Sequence, residues 1–174
     1  MVSAEGGTGA VGFEAFYRAQ HPRLVALLAV ALGDVEAAGE ACSEAFVRAL
    51  ERWERVSEFA EPVGWVYRVA LNVGRRQARR RTIERRLLAR LSPPETVEPV
   101  EPIDPALWRA LANLTFRQRS VVALRHVAGM SQNEVAAVLG IRPGTVSATL
   151  VVARRRLIEE LTAVDDVDPE VRHA

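Results

Sequence analysis

The residues best suited to a chemical task in this sequence form a run of arginines in its first half. Nine arginines and a single acid, Glu84, lie between Arg68 and Arg90, which gives a local net charge of +8. Like charges at this spacing on a helix repel each other, so a polyanion is the natural partner. Guanidinium groups bind phosphates well, and neutralising several phosphates gives strongly salt-dependent affinity. The run therefore favours a nucleic-acid surface, with a solvated arginine tail as the alternative.

Two aromatic residues, Trp65 and Tyr67, come just before this run. Aromatic rings beside arginines suit the stacking of unpaired bases, which would make this segment a surface for single-stranded nucleic acid. The alternative places Trp65 in the hydrophobic core, which explains that residue but not the arginines. Both interpretations of Trp65 stay open at the level of sequence.

A second stretch with a specific pattern extends from Gly129 to Val146. Ser131 and Glu134 have the spacing of a capping box, in which each side chain bonds the backbone N–H of the other residue. Met130 and Val135 flank that box at the spacing of a hydrophobic staple. These features predict that a short helix begins after Ser131.

The same stretch predicts a tight turn and a second helix. Gly140 suits the left-handed conformation that ends many helices, and Pro143 suits the first helical position, where its missing N–H has no partner anyway. The second helix contains three consecutive arginines, Arg154–Arg156. Two short helices joined in this way are typical of a DNA-binding helix-turn-helix, with an ordinary helical hairpin as the alternative.

The side chains on the outer face of this second helix suggest how it would read DNA. With Val146, Leu150 and Ala153 on the buried face, helical geometry places five residues outward: Gly144, Ala148, Val151, Val152 and Arg155. This set is poor in the side chains that read bases through paired hydrogen bonds. We therefore predict methyl contacts to thymine, shape readout, and phosphate contacts from Arg142 and Arg154–Arg156.

Helices must position all these residues, because apolar residues recur at helical spacing almost throughout and no strand pattern is present. Residues 55–62 lack such a pattern and are predicted to form a loop. The helices are predicted to start at Phe13 (with a break or a fresh start at Pro22), after Asp34 (running to about Trp53), at Pro62, at Pro105, after Thr115, after Ser131 and at Pro143.

Residues 92–104 contain four prolines and four acids but no basic residue. Closely spaced prolines keep a segment extended, so we predict a linker here. The sequence thus predicts an all-α fold of two small helical domains joined by an extended acidic Pro-rich linker. The predicted bounds are 1–12 for a disordered N-terminus, 13–91 for the first domain, 92–104 for the linker, 105–163 for the second domain and 164–174 for an acidic, frayed tail.

Composition narrows the classes of function. The chain has 174 residues, a net charge of +1 and one cysteine, Cys42, which lies among alanines and is expected to be buried. No membrane span or signal peptide is evident, which predicts a cytoplasmic protein. The sequence has no metal-ligand spacing, phosphate-binding glycine loop or catalytic serine or cysteine set. We therefore expect no cofactor, no metal, no catalytic residues and no enzyme activity.

The order and spacing of these features resemble the extracytoplasmic-function (ECF) group of bacterial RNA polymerase sigma factors. The resemblance covers Phe13 to about Leu161, and its most specific segments are Gly33–Phe46, Trp65–Asn72 and Ser131–Val146. It implies that the first domain docks on core polymerase and opens the minus-ten element, and that the second binds the minus-thirty-five element. The implied partners are the clamp helices of the largest polymerase subunit, the flap of the second-largest subunit and promoter DNA, with no membrane. Whether an anti-sigma factor also binds stays open.

The resemblance implies roles for three sets of residues. Contacts to the clamp helices are expected from Asp34, Glu36, Glu40, Glu44 and Phe46. Recognition of the minus-ten element is expected from Trp65, Arg68, Asn72, Arg75, Arg76, Arg79 and Arg80. Recognition of the minus-thirty-five element is expected from Arg142, Gly144, Thr145, Ser147, Ala148, Thr149, Val152, Arg154 and Arg155.

The sequence departs from the family pattern in both DNA- and polymerase-binding parts. The second helix has Gly39–Glu40 and Ser43 where a Glu-Asp pair and a glutamine are usual, and a helical glycine costs up to about 1 kcal/mol relative to alanine. The recognition helix has Ser147–Thr149 where Lys-Ser-Arg is common, and Arg142 where a serine cap is common. Two alternatives therefore stay open: a helix-turn-helix regulator that binds operator DNA without core polymerase, and a degenerate sigma-like interaction protein that does not initiate.

Overall fold

The computed structural model describes residues 7–88 and 104–165. All regular structure in those ranges is α-helical, which confirms the all-α class. The predicted linker, apart from Asp104, and most of the predicted acidic tail lie outside the described residues. The helices are α1 (Gly7–Leu32), α2 (Val35–Leu50), α3 (Trp53–Ser57), α4 (Pro62–Leu88), α5 (Pro105–Ala112), α6 (Phe116–His126), α7 (Gln132–Leu139) and α8 (Pro143–Asp165).

Helix α1 is one continuous helix, with no break at Pro22, and it begins at Gly7 rather than at Phe13. Leu24, Leu27 and Leu28, which follow the proline, are fully buried. Burying such a side chain contributes about 1.5–3 kcal/mol, so three together exceed the cost of about 3 kcal/mol for a proline inside a helix. The earlier start follows from helix cooperativity, because lengthening an existing helix is far easier than nucleating one.

The second helix is shorter than the sequence predicts, and part of the predicted loop is helical. Helix α2 ends at Leu50, and α3 forms a separate short helix that begins at Trp53. The ring of Trp53 lies 5.3 Å from that of Phe13 and 4.9 Å from that of Phe16. Val56 is buried as well. This long-range packing on α1 holds α3 in place, and no local periodicity of the sequence predicts this helix.

Side-chain caps confirm the predicted starts of α2, α5, α6 and α7. The carboxylates of Asp34 and Asp104 each accept a hydrogen bond of 2.9 Å from the backbone N–H three residues further on. Thr115–Gln118 and Ser131–Glu134 each form both halves of a capping box. Pro143 opens α8, as predicted. Each cap satisfies N–H groups that the helix leaves without a partner, which typically contributes about 1 kcal/mol.

The two halves of the chain pack directly on each other. We call α1–α4 the first unit and α5–α8 the second unit; α6 packs on α1, and α7 packs on α4. Leu27 of the first unit belongs to the same buried cluster as Leu124 and Val135 of the second. The sequence predicts the two units but not this shared core. The contact places one face of α4 opposite the turn between α7 and α8.

Among the described helices, no single one is both long and apolar enough to cross a membrane. Helices α7 and α8 pass such a test of length and composition only as a pair, and they are bent by 101° at the break between them.

Candidate nucleic-acid interface

The arginines of α4 lie on three different sides of the helix. Arg68 and Arg75 line a cleft between α4 and the second unit. Arg76 and Arg80 line a groove between α4 and α2. Arg81 pairs with acids of α2. Each residue advances a helix by roughly 100°, so a dense run of arginines necessarily spreads over several faces of α4.

The cleft between the units has a volume of about 200 Å³. Arg68, Asn72 and Arg75 line it from α4, and residues 116–117 and 138–141 line it from the second unit. The guanidinium of Arg75 lies 5.8 Å from the centre of the Phe116 ring, which is cation–π geometry. The structure thus brings three of the predicted minus-ten residues together, on a face that opposes the helix-turn-helix.

Arg68 bonds across this cleft. Its Nε donates to the carbonyl oxygen of Val138 at 3.1 Å, and its Nη2 donates to the carbonyl oxygen of Ala137. Both carbonyls belong to the last turn of α7, where a helix leaves its C=O groups without an internal partner. The guanidinium therefore acts as a cap for a helix of the other unit.

The groove between α4 and α2 has a volume of about 220 Å³ and is strongly charged. Arg76 and Arg80 face Glu44 and Arg48 across it. The Oε1 atom of Gln77 is buried here and has no hydrogen-bond partner among the described groups. Arg80 also bonds Glu84 at 2.8 Å one turn further along α4. The predicted minus-ten residues Arg76 and Arg80 therefore lie apart from Arg68, Asn72 and Arg75, while Arg79 is simply exposed.

The two aromatic residues before the arginine run have different environments. Trp65 is half-buried, and its ring lies 6.3 Å from that of Phe59. Tyr67 is only 2% exposed, and its hydroxyl donates to Gln20 Oε1 at 3.4 Å. Burial raises the pKa of the Tyr67 phenol. The expectation that Tyr67 stacks on bases is therefore wrong, because its ring belongs to the core, whereas Trp65 keeps part of its ring accessible.

The acidic side chains predicted to bind the polymerase clamp form an exposed face on α2. Asp34, Glu36, Glu40 and Glu44 are all exposed. In-chain partners engage three of them: Arg48 Nη2 lies 2.6 Å from Glu44, while Arg81 lies 2.8 Å from Glu40 and 3.4 Å from Asp34. Pairs this exposed typically contribute about 0–1 kcal/mol, so a stronger partner can displace them.

Phe46 is too deeply buried to contact a partner protein on this face. It is 3% exposed and packs in an aromatic cluster, with its ring 4.8 Å from that of Tyr17 and 6.0 Å from that of His21. The expectation for Phe46 is corrected accordingly: its position on α2 faces the core, and it holds α2 against α1.

Helices α7 and α8 have the geometry of a DNA-binding pair. They are bent by 101°, within the usual range for this motif. Gly140 ends α7 with a φ of 65°, the left-handed conformation that glycine adopts without strain. Hydrogen bonds from Ser131 hold the pKa of Glu134 below its usual value, as expected for a carboxylate in a capping box.

Helix α8 exposes only some of the residues predicted to contact the minus-thirty-five element; we call its exposed side the reading face. Val146 and Ala153 are fully buried, as predicted. Four of the predicted minus-thirty-five residues on α8 are exposed: Gly144, Ala148, Arg154 and Arg155; Arg142, in the turn before it, is exposed too. The other four are half-buried: Thr145, Ser147, Thr149 and Val152. The prediction that Val152 points fully outward is therefore wrong, since its position lies beside buried Ala153 at the edge of the face.

Two further residues matter for this surface. Val151, predicted outward but left out of the expected minus-thirty-five set, is 70% exposed and lies in the middle of the reading face. Arg156, expected to bind phosphate, donates to Gln118 Oε1 at 3.2 Å and so ties α8 to α6.

Arg119 is the residue that sequence reasoning missed altogether. Its guanidinium donates to four backbone carbonyls, including that of Ala31 in α1 at 3.0 Å and that of Leu114 at 2.8 Å. Burial lowers the pKa of this guanidinium. Nothing in the local sequence distinguishes it from exposed Arg117, because its role depends on the packing of α6 against α1.

No group of histidine, cysteine or carboxylate side chains among the described residues is arranged to hold a metal ion.

A helix-turn-helix with an exposed reading face, together with an arginine-rich helix in an all-α chain, defines a class: helical DNA-binding proteins of transcription. Comparison with known proteins narrows that class. Residues 16–83 match the family described as Sigma-70 region 2, and residues 105–157 match the family described as Sigma-70, region 4. The chain belongs to the ECF subfamily of the sigma-70 family of bacterial RNA polymerase sigma factors. Members of this family are non-enzymatic regulators of transcription.

Relatives and solved structures agree with this assignment. The chain is 33% identical to the RNA polymerase sigma-E factor of Streptomyces coelicolor over 162 residues, 88% of each chain. It is 37% identical to the sigma-E factor of Streptomyces antibioticus over 123 residues, which is 70% of this chain and 68% of the relative.

Two solved structures, both of complexes, are similar to this chain. The sigma factor RpoE of Bartonella quintana in complex with the anti-sigma factor NepR shares the fold, with a TM-score of 0.73 and 21% identity, over 87% of this chain and 97% of that one. CnrH in complex with the cytosolic domain of CnrY gives a TM-score of 0.62 and 25% identity, over 91% of this chain and 90% of that one.

Proposed function

We propose that this chain is a cytoplasmic ECF sigma factor that binds core RNA polymerase and directs promoter recognition, minus-ten melting and transcription initiation. In this proposal residues 13–91 are the domain that docks on core polymerase and recognises the minus-ten element, and residues 105–163 recognise the minus-thirty-five element. One observation carries the proposal above all: a single chain of this family combines exposed arginines on α4 with an exposed reading face on α8.

The acidic face of α2 would dock on the clamp helices of the largest polymerase subunit. Its exposed carboxylates, Asp34, Glu36, Glu40 and Glu44, suit a basic partner. Complementary charge mainly speeds association and makes it salt-dependent. Arg81 would have to release Asp34 and Glu40, which is feasible because both ion pairs are solvent-accessible. The second unit would contact the flap of the second-largest subunit.

The minus-ten element would be held as single-stranded DNA along α4. The half-buried Trp65 offers part of a ring for base stacking, and Asn72 offers both a donor and an acceptor for a base edge. The exposed arginines of the helix would neutralise phosphates: Arg68, Arg75, Arg76, Arg79 and Arg80.

The minus-thirty-five element would be read by α8 in the major groove. Ala148 and Val151 present methyl groups on the exposed face, and such groups contact the methyl of thymine. Arg142, Arg154 and Arg155 are placed for phosphate contacts, which fix register and orientation rather than sequence. Sequence preference at this element is then expected to favour A·T pairs.

The experiment that tests the proposal is run-off transcription with purified bacterial core polymerase on pooled genomic promoter fragments, with and without this protein. Discrete transcripts that depend on the protein are expected, and their aligned start sites would give both promoter elements. If no transcripts form and the protein alone binds duplex DNA tightly, it is a regulator that binds operators. If it binds core polymerase without supporting any transcript, it is a non-initiating interaction protein.

A matched pair of charge reversals separates docking from general effects. Glu36→Arg changes the exposed acidic face of α2, whereas Glu14→Arg makes the same change of charge on α1, away from that face. We expect Glu36→Arg to weaken binding to core polymerase and Glu14→Arg to leave it nearly unchanged. Equal affinities for the two variants would refute docking through α2. Because one of the similar solved structures contains an anti-sigma factor, we also propose an anti-sigma factor as a partner of this chain.

A further inference from the structure

The groove between α4 and α2 gathers positive charge around a buried polar atom. The residues that line it are Glu44, Arg48, Val73, Arg76, Gln77 and Arg80. Three guanidinium groups against one carboxylate give this lining a net charge of +2. Charge of one sign is more effective in a cleft than on a convex surface, because the surrounding protein focuses the field there. The groove is therefore expected to attract a small anion.

The arginines of the groove have hydrogen-bond donors to spare. Arg48 pairs with Glu44 at 2.6 Å, and Arg80 pairs with Glu84 at 2.8 Å, each through one nitrogen. A guanidinium carries five N–H donors, so both side chains retain others. Arg76 is exposed and makes no ion pair within the described part of the chain. An anion in the groove can therefore be bound without breaking either ion pair.

Gln77 supplies a second, independent feature of this groove. Its Oε1 atom is buried and has no hydrogen-bond partner among the described groups. Leaving a buried acceptor unpaired is unfavourable, so the groove favours an occupant that donates a hydrogen bond to this oxygen. A water molecule also meets that requirement. The affinity for an anion must therefore come from the arginines, and Gln77 determines which anion is preferred.

The size of the groove restricts the occupant further. Its volume is about 220 Å³, below the about 300–1,000 Å³ of pockets that enclose drug-sized ligands. A whole nucleotide is too large, whereas a compact tetrahedral anion fits. Hydrogen phosphate keeps an O–H group at neutral pH and can donate to Gln77. Sulfate and the phosphodiester of a DNA backbone have no such group.

We propose that the groove between α2 and α4 is a binding site for inorganic phosphate. Arg48, Arg76 and Arg80 bind the anion, and Gln77 Oε1 accepts a hydrogen bond from its O–H group. The inference concerns the free chain and goes beyond the proposed function. One consequence does rest on that function: phosphate in the groove would compete with the minus-ten strand for Arg76 and Arg80.

Phosphorus NMR tests the proposal on the full chain, at constant ionic strength and in a buffer without phosphate. The resonance of inorganic phosphate should broaden saturably when the protein is added. We expect a dissociation constant on the order of millimolar, because so small a ligand makes few contacts. Sulfate, added as a competitor, has the shape and charge of hydrogen phosphate but should bind about fivefold more weakly, since it cannot donate to Gln77.

A matched pair of substitutions separates this site from general charge effects. Arg76→Gln removes a guanidinium from the groove, whereas Arg79→Gln makes the same change at an exposed position that does not line it. Arg76→Gln should weaken phosphate binding by about tenfold, because it removes a charge-assisted hydrogen bond. Arg79→Gln should change it by less than about twofold, since salt screens distant exposed charges.

Two further variants change affinity and selectivity separately. Glu44→Gln neutralises the one carboxylate in the lining and releases Arg48, so phosphate should bind about threefold more tightly. A misfolded protein would not show such a gain. Gln77→Met keeps the length of the side chain but offers only a weak acceptor, so the preference for phosphate over sulfate should largely disappear.

The other results overturn the proposal. No saturable broadening, or equal losses in Arg76→Gln and Arg79→Gln, would mean that the groove only adds to diffuse charge. Sulfate or dimethyl phosphate, a small analogue of the DNA backbone, might be expected to bind as well as phosphate only if the arginines accept any anion, and that outcome would refute a role for Gln77. Positions 76 and 79 are exposed, so their variants decide the matter even if Gln77→Met does not fold. Failure of run-off transcription would contradict the sigma function and leave these results standing.

Discussion

At the scale of single residues, the capping box of α7 links sequence to a measurable pH dependence. Hydrogen bonds from Ser131 hold the pKa of Glu134 below its ordinary value of 4.5. The stability contributed by this carboxylate is therefore fully present above about pH 4.5 and is lost as the pH falls through the lower pKa of the folded state. We expect the free energy of unfolding of the wild type to decline over that acid range.

Glu134→Gln is the matched control, because Gln118 closes the equivalent box at the start of α6. The variant should keep the cap but lose this part of the pH dependence, as measured by urea unfolding at a series of pH values. Ser131→Ala should instead destabilise the protein by about 1 kcal/mol and return the pKa of Glu134 towards 4.5. A Glu134→Gln variant with the wild-type acid profile would contradict this assignment.

Local chemistry is the part of the site that the sequence predicts best. The caps at Asp34, Thr115 and Ser131 were predictable because their partners lie three residues away. At the start of a helix, that spacing brings the side chain within hydrogen-bonding distance of the backbone N–H. The burial of Phe46 was predictable too, because its spacing puts it on the apolar face of α2 with Cys42 and Ala49. Arg119 was not predictable, since its role is decided by helices distant in sequence. An arginine in an arginine-rich chain carries no local sign of burial.

At the scale of elements, Gly39 in α2 and Gly74 in α4 differ in their surroundings. A Cβ at Gly39 would meet nothing within 4 Å, whereas one at Gly74 would lie 2.8 Å and 2.9 Å from the terminal carbons of Leu32. Gly39→Ala should therefore raise the free energy of unfolding by about 0.5–1 kcal/mol. Gly74→Ala should bring no such gain, because Leu32 must move to make room. Chemical denaturation of both variants provides the comparison, and an equal gain at the two sites would show that packing at Gly74 is looser than described.

Helix α8 offers a test of how the minus-thirty-five element is read. Val151→Ser removes methyl groups from the exposed face and should reduce the preference for thymine at one position by about 1 kcal/mol. Arg155→Ala should weaken binding to all sequences alike and reduce the salt slope by about 1, since its pairing with Glu159 at 3.7 Å is exposed and weak. Selection from a library of minus-thirty-five sequences, repeated at two salt concentrations, separates these effects. A change of base preference in the Arg155→Ala variant would mean that arginine, not shape, reads the sequence.

The elements themselves were predictable where a cap or a continuous apolar stripe marks them. Helices α6, α7 and α8 begin where the sequence predicts. The misplaced boundaries, at the start of α1 and around α3, lie where tertiary packing decides. Trp53 is one example: its spacing assigns it to the end of α2, but its contacts with Phe13 and Phe16 hold it at the start of α3.

At the scale of the whole molecule, the docking of the two units was not predictable from sequence. A proline-rich acidic linker suggests two independent bodies, whereas α6 packs on α1 and α7 packs on α4. The residues involved, such as Leu27 and Leu124, look like ordinary core residues of their own units. Apolar periodicity shows which face of a helix is buried, but not which helix covers it.

Arg119 connects this docking to stability. Its bonds to four carbonyls, one of them in α1, would all be lost in Arg119→Ala. A good hydrogen bond to a charged group contributes about 1.5–3 kcal/mol net, and two of these four are long, at 3.3 and 3.4 Å. We expect a loss of about 3 kcal/mol in the free energy of unfolding. Arg117→Ala, at an exposed position two residues away, should be nearly neutral. Similar losses for both variants would show that the buried bonds contribute little.

Calorimetry of the same proteins distinguishes one cooperative body from two. Because the units share a buried core, the wild type should unfold in a single transition whose calorimetric and van't Hoff enthalpies agree. Arg119→Ala removes one of the two inter-unit caps, so the second unit should begin to unfold at a lower temperature than the first and the enthalpies should diverge. If the wild type already shows two transitions, the units are independently stable and the contact between them contributes little. A single transition that Arg119→Ala shifts without splitting would mean that the apolar core alone holds the units together, and that Arg68 and Arg119 set only their register.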